Sequence, residues 1–244
     1  MQDAYREDLA AIHDEGFGTI ADEAASLLVT QLARAGLREG TITDLGCGGG
    51  RLLRRAVDAG YSGVGIDLSA SAIEIARARV PEARFNVGSF LSCRLPRSVA
   101  ITAVGEVLSY TFDERNDDTA RDTLFARAFS ALVPGGMLLF DLAIRGARVR
   151  SARHEIQAGA DWVVSVETHV DEAAGTLVRR IMSFRWVGGR TRRDEETHQL
   201  LLTDPATVRR ALRRIGLAVR TLVSYGDTAL PPGVVAFLAT KPPR

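Results

Sequence analysis

Cysteine is scarce in this 244-residue chain, and its two examples, Cys47 and Cys93, lie far apart. With no second Cys or His nearby at metal-ligand spacing, they exclude a disulfide framework and a zinc site. The four histidines, His13, His154, His169 and His198, are scattered as well, so no metal is expected. Long apolar runs are missing: nothing approaches the roughly 18 residues of a membrane span. The amino-terminal Met1-Gln2-Asp3-Ala4-Tyr5-Arg6-Glu7-Asp8 has acids where a secretory signal has bases and then apolar residues, which sets the expectation of a cytoplasmic protein. Net charge is nearly absent too. Thirty-one Lys and Arg against 30 Asp and Glu leave +1, too little for a nucleic-acid footprint. The Arg-rich stretches 190–193 and 209–214 read as solvated faces.

What is present is a normal globular composition, 46% hydrophobic, in a chain sized for one domain. From Thr41 to Phe140, short β-branched or apolar runs alternate with helical patterns, the signature of βαβ units and a parallel sheet. Thr19 to Ala35 repeats apolar residues at helical spacing and stops at Gly36. Strands are predicted at Thr41–Leu45, Ser62–Asp67, Arg84–Val87, Val99–Val107 and Met137–Asp141. Helices fall between them: Arg51 to Ala59, the stretch through Ala72, Ile75 and Ala76 that Ser69 or Ser71 caps, and Asn116 to Leu132. After Ile144 the period changes, and Trp162–Val170, Thr176–Val187 and Thr197–Leu202 read as antiparallel strands joined at Ala174-Gly175 and Gly188-Gly189. Asp204-Pro205 opens a further helix. Leu217–Ser224 and Val234–Thr240, with Pro231-Pro232-Gly233 between them, close the sheet.

The chemistry concentrates in Asp44-Leu45-Gly46-Cys47-Gly48-Gly49-Gly50, set between a predicted strand and a predicted helix. Glycines let the backbone pass close to a ligand, and the helix start offers unpaired N–H groups. Asp67 ends the next strand, about 20 residues past the first glycine, where an acid binds the two ribose hydroxyls of a nucleoside cofactor. A glycine turn alone leaves a dinucleotide and a sulfonium nucleoside both open. The dinucleotide spacing G-x-G-x-x-G, counted from Gly46, requires glycine at the position held by Arg51. Asp44, just ahead of the turn, would repel a pyrophosphate and favour a cofactor bearing an α-amino group and a sulfonium.

These segments, in this order, resemble the class I S-adenosylmethionine-dependent methyltransferases over nearly the whole chain. Thr43 through Gly50 resembles that family's first motif, which wraps the methionine part of the cofactor, and this implies roles for Asp44, Gly46, Cys47 and Gly48. Gly65-Ile66-Asp67-Leu68-Ser69 resembles the second, with Asp67 on the ribose and Leu68 beside it. Val87-Gly88-Ser89-Phe90 aligns with the segment flanking the adenine, although Ser89 stands where the family usually has Asp. Gly105 through Tyr110 falls where the fourth strand ends beside the reacting methyl, which implicates Glu106 and Val107. Leu132 through Leu138 is similar to the turn into strand five. The family's nucleic-acid and protein-glutamine branches carry [DN]-P-P-[YFW] after strand four, and Glu106-Val107-Leu108-Ser109 does not match it.

The resemblance implies a Rossmann-like α/β fold with a doubly wound, seven-stranded, mostly parallel sheet and an antiparallel β insertion after strand five. One domain would span residues 1–244. Residues 1–40 would form a helical lid, 41–143 the cofactor-binding core, 145–203 a β insertion over the acceptor site, and 204–244 the last helix and two strands. The implied cofactor is S-adenosyl-L-methionine and the implied activity O- or N-methylation of a small-molecule acceptor, by a monomer or homodimer without nucleic-acid or membrane partners. Two alternatives stay open: an NAD(P)-dependent oxidoreductase, and a cofactor-binding module without turnover. Tyr110, past strand four, His198, on the insertion, and His13, in the lid, are the candidate catalytic residues, each against the simpler reading of core packing or a solvated position. Tyr5, in the same lid, is a candidate for the sulfonium, since an aromatic face attracts a cation by about 0.5–2 kcal/mol. Trp162 and Trp186 read as insertion core.

Overall fold

The computed structural model describes residues 5–146 and 152–243. The first four residues of the expected lid, residues 147–151 of the expected insertion and Arg244 lie outside the described residues. Helices α1 (Glu7–Gly16) and α2 (Thr19–Arg34) lead into an alternating core of β1 (Thr41–Leu45), α3 (Arg51–Asp58), β2 (Ser62–Asp67), α4 (Ala70–Arg79), β3 (Arg84–Val87), β4 (Ser98–Ala103), α5 (Asp118–Ala131) and β5 (Leu132–Ala143). Four antiparallel strands follow, β6 (Ala152–Ala158), β7 (Trp162–Asp171), β8 (Thr176–Val187) and β9 (Arg190–Leu201). The chain closes with α6 (Pro205–Arg214), β10 (Ala218–Leu222), the small hairpin β11 (Ser224–Tyr225) and β12 (Thr228–Ala229), and β13 (Val234–Thr240).

The main sheet has seven strands in the order β10-β13-β5-β4-β1-β2-β3. Strands β1 to β5 are parallel and β13 runs antiparallel between β5 and β10. All six residues of β4 are buried, as a parallel strand covered on both faces requires. Alternate residues feed two cores. Ile42, Ala100, Met137 and Leu139 pack with α2, α3 and α4, while Leu45, Ile101, Leu138 and Phe140 pack with α5 and α6. From β1 the chain winds outward through β2 and β3, then returns to place β4 on the other side of β1. That reversal opens a crevice at the carboxyl ends of the strands, where open α/β sheets bind ligands.

The caps agree with the sequence pattern. Ser69 accepts from the Ala72 amide at the start of α4, and Asp204 accepts from the Ala206 and Thr207 amides at the start of α6. Several boundaries differ. Strand β4 stops at Ala103 rather than Val107, because Gly105 (φ 93°) and Glu106 (φ 60°) bend the chain out of the sheet. Strand β5 begins at Leu132 despite Pro134-Gly135-Gly136, since a shift in register between Ser98 and Ala100 accommodates the extra residues. Strand β6 has no counterpart in the predicted pattern, being an edge strand with six of seven residues exposed. Strand β9 starts at Arg190, not Thr197. Its charges mark the opposite edge, and Arg192 is paired with Glu7 and Asp8 of α1.

A candidate active site of two adjoining chambers

The glycine turn is shaped by its own hydrogen bonds. Gly46, Gly48 and Gly50 all have φ between 51° and 77°, and the Gly46 and Cys47 amides donate to the Ile66 carbonyl at 2.7 and 3.1 Å. A Cβ on Gly46 would sit 2.5 Å from the Val107 methyls, whereas one on Gly48 would meet nothing, because the space ahead of it is open. Asp67 latches the turn: its carboxylate accepts from the Gly48 amide at 2.8 Å and the Ser69 amide at 2.9 Å. Burial pushes its pKa up. Arg51, where a dinucleotide fold needs glycine, reaches across to pair with Asp22 of α2.

This turn forms one wall of a cavity of about 850 Å³, its mouth included. Tyr5, Gly46, Gly48, Asp67, Leu68, Gly88, Phe90 and Val107 from the expected cofactor set all line it. Four others do not. Asp44 is buried behind the turn and accepts from Thr102 Oγ1 at 2.6 Å, with burial pushing its carboxyl up to about 7. Cys47 packs beneath Gly65, its thiol pushed up by burial, so that it is a spacer and not a reactive group. Ser89 turns away and donates to Asp113 at 2.5 Å. Asp113 is the acid that reaches this end of the cavity, and the Arg115 guanidinium beside it holds its carboxyl well below the usual range. Glu106 faces a second space instead.

That second chamber, about 1480 Å³ with its mouth, shares Tyr5, His13, Val104, Gly105 and Tyr110 with the first. The inserted sheet covers it. Arg153, Thr168, Arg179 and His198 stand directly opposite one another across β6, β7, β8 and β9, so one rung projects onto the same face. Arg179 donates to both oxygens of Glu106, at 2.8 and 3.1 Å, and to the Tyr110 hydroxyl at 3.1 Å. Tyr110 also meets the Tyr5 hydroxyl at 3.1 Å and stacks on Phe112. Burial pushes both phenols up, so each stays a neutral hydroxyl at physiological pH.

The candidate histidines part company here. His13 lines both chambers, makes no side-chain hydrogen bond among the described residues, and contacts the Tyr5 and Phe17 rings. Its ring is open to the cavities, yet desolvation between the two chambers disfavours the imidazolium and lowers its pKa to about 4. His198 is neither solvated nor on a chamber wall. It is 1% exposed, bonded through Nε2 to Glu196 at 2.8 Å, and packed behind the rings of Tyr5 and Phe112. Trp162 fills the insertion core and Trp186 is exposed.

Glu196 joins the amino-terminal segment to the inserted sheet. Its carboxylate accepts the Tyr5 and Arg6 amides at 2.8 and 2.9 Å, at the positive end of α1, while Ser69 Oγ donates to the Tyr5 carbonyl at 2.7 Å. Tyr5 (φ 51°) and Glu106 (φ 60°) are the two non-glycine residues with left-handed backbone among the described residues, and both border the shared wall. Each such residue costs on the order of 1–3 kcal/mol and persists where its surroundings over-determine it. The sequence reading missed Asp113, Asp141, Arg179 and Glu196. Asp141 left one signal, an acid closing the apolar run of strand five.

Compared with known proteins, residues 42–136 match the family model for a methyltransferase domain. Indolepyruvate C-methyltransferase of Streptomyces griseus is 38% identical over 89 residues, covering 36% of this chain and 27% of that protein. The match therefore spans about a quarter of that relative's length. Among solved structures, an S-adenosylmethionine-dependent methyltransferase of Clostridium acetobutylicum superposes with a TM-score of 0.80 at 14% identity, covering 96% of this chain and 98% of that one. CalS10 of Micromonospora echinaspora, an amino pentose methyltransferase, gives 0.75 at 16% identity over 99% of both chains. The glycopeptide N-methyltransferase MtfA gives 0.56 at 24% identity, covering 91% and 94%. At these identities the structures establish a shared fold.

Proposed function

We propose that this chain is a class I S-adenosylmethionine-dependent methyltransferase and that it methylates an oxygen or nitrogen of a small molecule held beneath the inserted sheet. The observation that carries this reading is the pair of chambers meeting at Tyr5, His13, Val104, Gly105 and Tyr110. The first fits the cofactor: Gly48 leaves open space, and Asp67 presents a carboxylate to it. Gly46, Gly48 and Val107 would flank the methionine part, Asp67 and Leu68 the ribose, and Gly88, Phe90 and Asp113 the adenine.

S-adenosylmethionine, when bound, supplies a methyl group on a positively charged sulfur. The protein's part is alignment, exclusion of water and handling of one proton. Tyr5 and Tyr110, held as neutral phenols, orient the acceptor. His13, uncharged at neutral pH and making no side-chain hydrogen bond among the described residues, accepts the proton that the acceptor hydroxyl or amine releases as the methyl arrives. Residues 1–40 act as the lid and 145–203 as the acceptor cover, within a single domain. A sugar N-methyltransferase and a glycopeptide N-methyltransferase share this fold, and on that ground we favour nitrogen over oxygen. No helix among the described residues is long and apolar enough to cross a membrane. We place the protein in the cytoplasm, as a monomer or homodimer that does not act on nucleic acid.

Calorimetry with S-adenosylhomocysteine, followed by mass spectrometry of a panel of amino sugars, phenols and keto acids, tests the reading. Binding and methylated amine are expected. Methylated carbon on a keto acid would move the activity to that of the curated relative, and binding without any product would indicate a cofactor-binding module. Binding of NADH alone would replace the assignment with an oxidoreductase. His13→Gln should lower the transfer rate by roughly 10²–10⁴-fold, the usual contribution of a positioned base. An unchanged rate would remove His13 from the chemistry.

A further inference from the structure

The wall between the chambers is built on a bend that the backbone would not adopt by itself. Residues 104–106 leave β4 with Gly105 at φ 93° and Glu106 at φ 60°, a left-handed glutamate that has no local reason to be there. One side chain accounts for it. Asp141, near the end of β5 and 1% exposed, accepts the Gly105 amide at 3.1 Å on both oxygens and the Glu106 amide on Oδ1. Tyr225 Oη donates to the same carboxylate at 2.7 Å. Tyr225 is itself fully buried and is carried by the β11–β12 hairpin. The far side of the bend is tied separately, where the Ala143 amide donates to Ser109 Oγ at 3.1 Å.

We propose that Asp141 is a positioning residue for methyl transfer: by gathering the Gly105 and Glu106 amides it sets the inter-chamber wall and aims Glu106 at Arg179. Arg179 in turn holds the Tyr110 hydroxyl, so this side of the site takes its order from Asp141, whose carboxylate is spent on the bend although the residue borders the second chamber. This inference rests on the methyltransferase reading for its kinetic consequence, but not for its structural one. A carboxylate is required because two converging amides and a phenol all donate; an amide side chain in its place offers one acceptor oxygen and two further donors.

Burial pushes the Asp141 carboxyl up to about 6, the Tyr225 and amide bonds lower it, and Glu106 raises it. Arg179 lies behind Glu106, Arg153 and Glu155 face the chamber from β6, and the β13 partner of Asp141 is the uncharged Ala236. Protonation gives the carboxyl a donor where the bend needs acceptors, so the arrangement loosens as pH falls through about 6.

Hydrogen–deuterium exchange and rate measurements on the full chain test this. In Asp141→Asn the 105 and 106 amides should exchange at least roughly tenfold faster, the loss of charge-assisted bonds, while the amides of β4 keep their protection. Tyr225→Phe, which keeps the fold's shape, should move the acid limb of methyl transfer to higher pH, because it removes a bond that lowers the Asp141 pKa. Ser109→Ala should leave that limb in place. Unchanged exchange at 105 and 106 in Asp141→Asn overturns the proposal, as does an acid limb that Tyr225→Phe does not move. If Asp141→Asn does not fold, exchange of the same two amides in Tyr225→Phe across pH 5–7 decides: an unshifted pH dependence overturns it. Failure of the wild type to methylate any acceptor would count against the function and leave the exchange arms to judge Asp141.

Discussion

The two chambers differ in how far apart their makers lie along the chain. Asp67 latches Gly48 across 19 residues, within one βαβ unit, whereas Glu196 holds the Tyr5 amide across 191 and Arg179 meets Glu106 across 73. The first chamber depends on backbone conformation, on glycines that must be glycines and one acid at a strand end. The second depends on paired side chains brought in by an inserted sheet. A contact made within one supersecondary unit is fixed by local geometry and reads as a motif, while a contact between distant elements has no spacing rule and reads as ordinary surface charge.

Gly46→Ala should break the first chamber outright. Its φ of 64° and the predicted approach of a Cβ to Val107 at 2.5 Å leave no room, so S-adenosylhomocysteine affinity should fall at least roughly 100-fold, or about 2.7 kcal/mol. Retained affinity in calorimetry would show that the turn can relax. Asp67→Ala should weaken the same binding by about 1.5–3 kcal/mol, the range for bonds to a charged group. Here an unchanged dissociation constant would take Asp67 off the ribose.

The amino-terminal segment offers a smaller effect that belongs to the second chamber. Glu196→Ala removes the acceptor for the Tyr5 and Arg6 amides and should destabilise the chain by about 1–3 kcal/mol, with amide exchange rising over α1 before it rises in the main sheet. Uniform exchange across both regions would mean that α1 and the main sheet open together. Comparable in size, and read against pH, is the effect of Asp44. Its folded-state carboxyl titrates near 7 against 3.8 when free, so the native state holds a proton that the unfolded chain has already released. Stability from this group is present below about pH 4 and is lost as pH rises toward 7. Asp44→Asn should therefore gain in thermal midpoint relative to the wild type as pH goes from 5 to 8, and a constant difference would contradict that.

Particular residues show what was legible. The switch from period 3.6 to period 2 after Ile144 marked the insertion, and Asp204-Pro205 marked α6 by its capping chemistry. Strand β6 was not legible because an exposed edge strand lacks a buried face to write alternation into its sequence. Asp44 and Ser89 matched motif positions but point away from the cavity, since a position in a motif fixes the backbone and not the direction in which a side chain finds its partner. His198 carries the same lesson: its place on the insertion was foreseen, its burial behind Tyr5 and Phe112 was not.

By itself the amino-acid sequence determined the parallel core, the glycine turn and the acid that serves it, because these rest on local conformational preference and on the periodicity of burial. The tertiary structure alone decided that Glu106 lines the second chamber, that Glu196 ties the amino-terminal segment to the inserted sheet, and that Asp141 bends the wall between the two spaces. Each of those outcomes is a long-range pairing of charge with backbone amide or guanidinium, and such pairings exist only once the chain has brought their partners within hydrogen-bond reach.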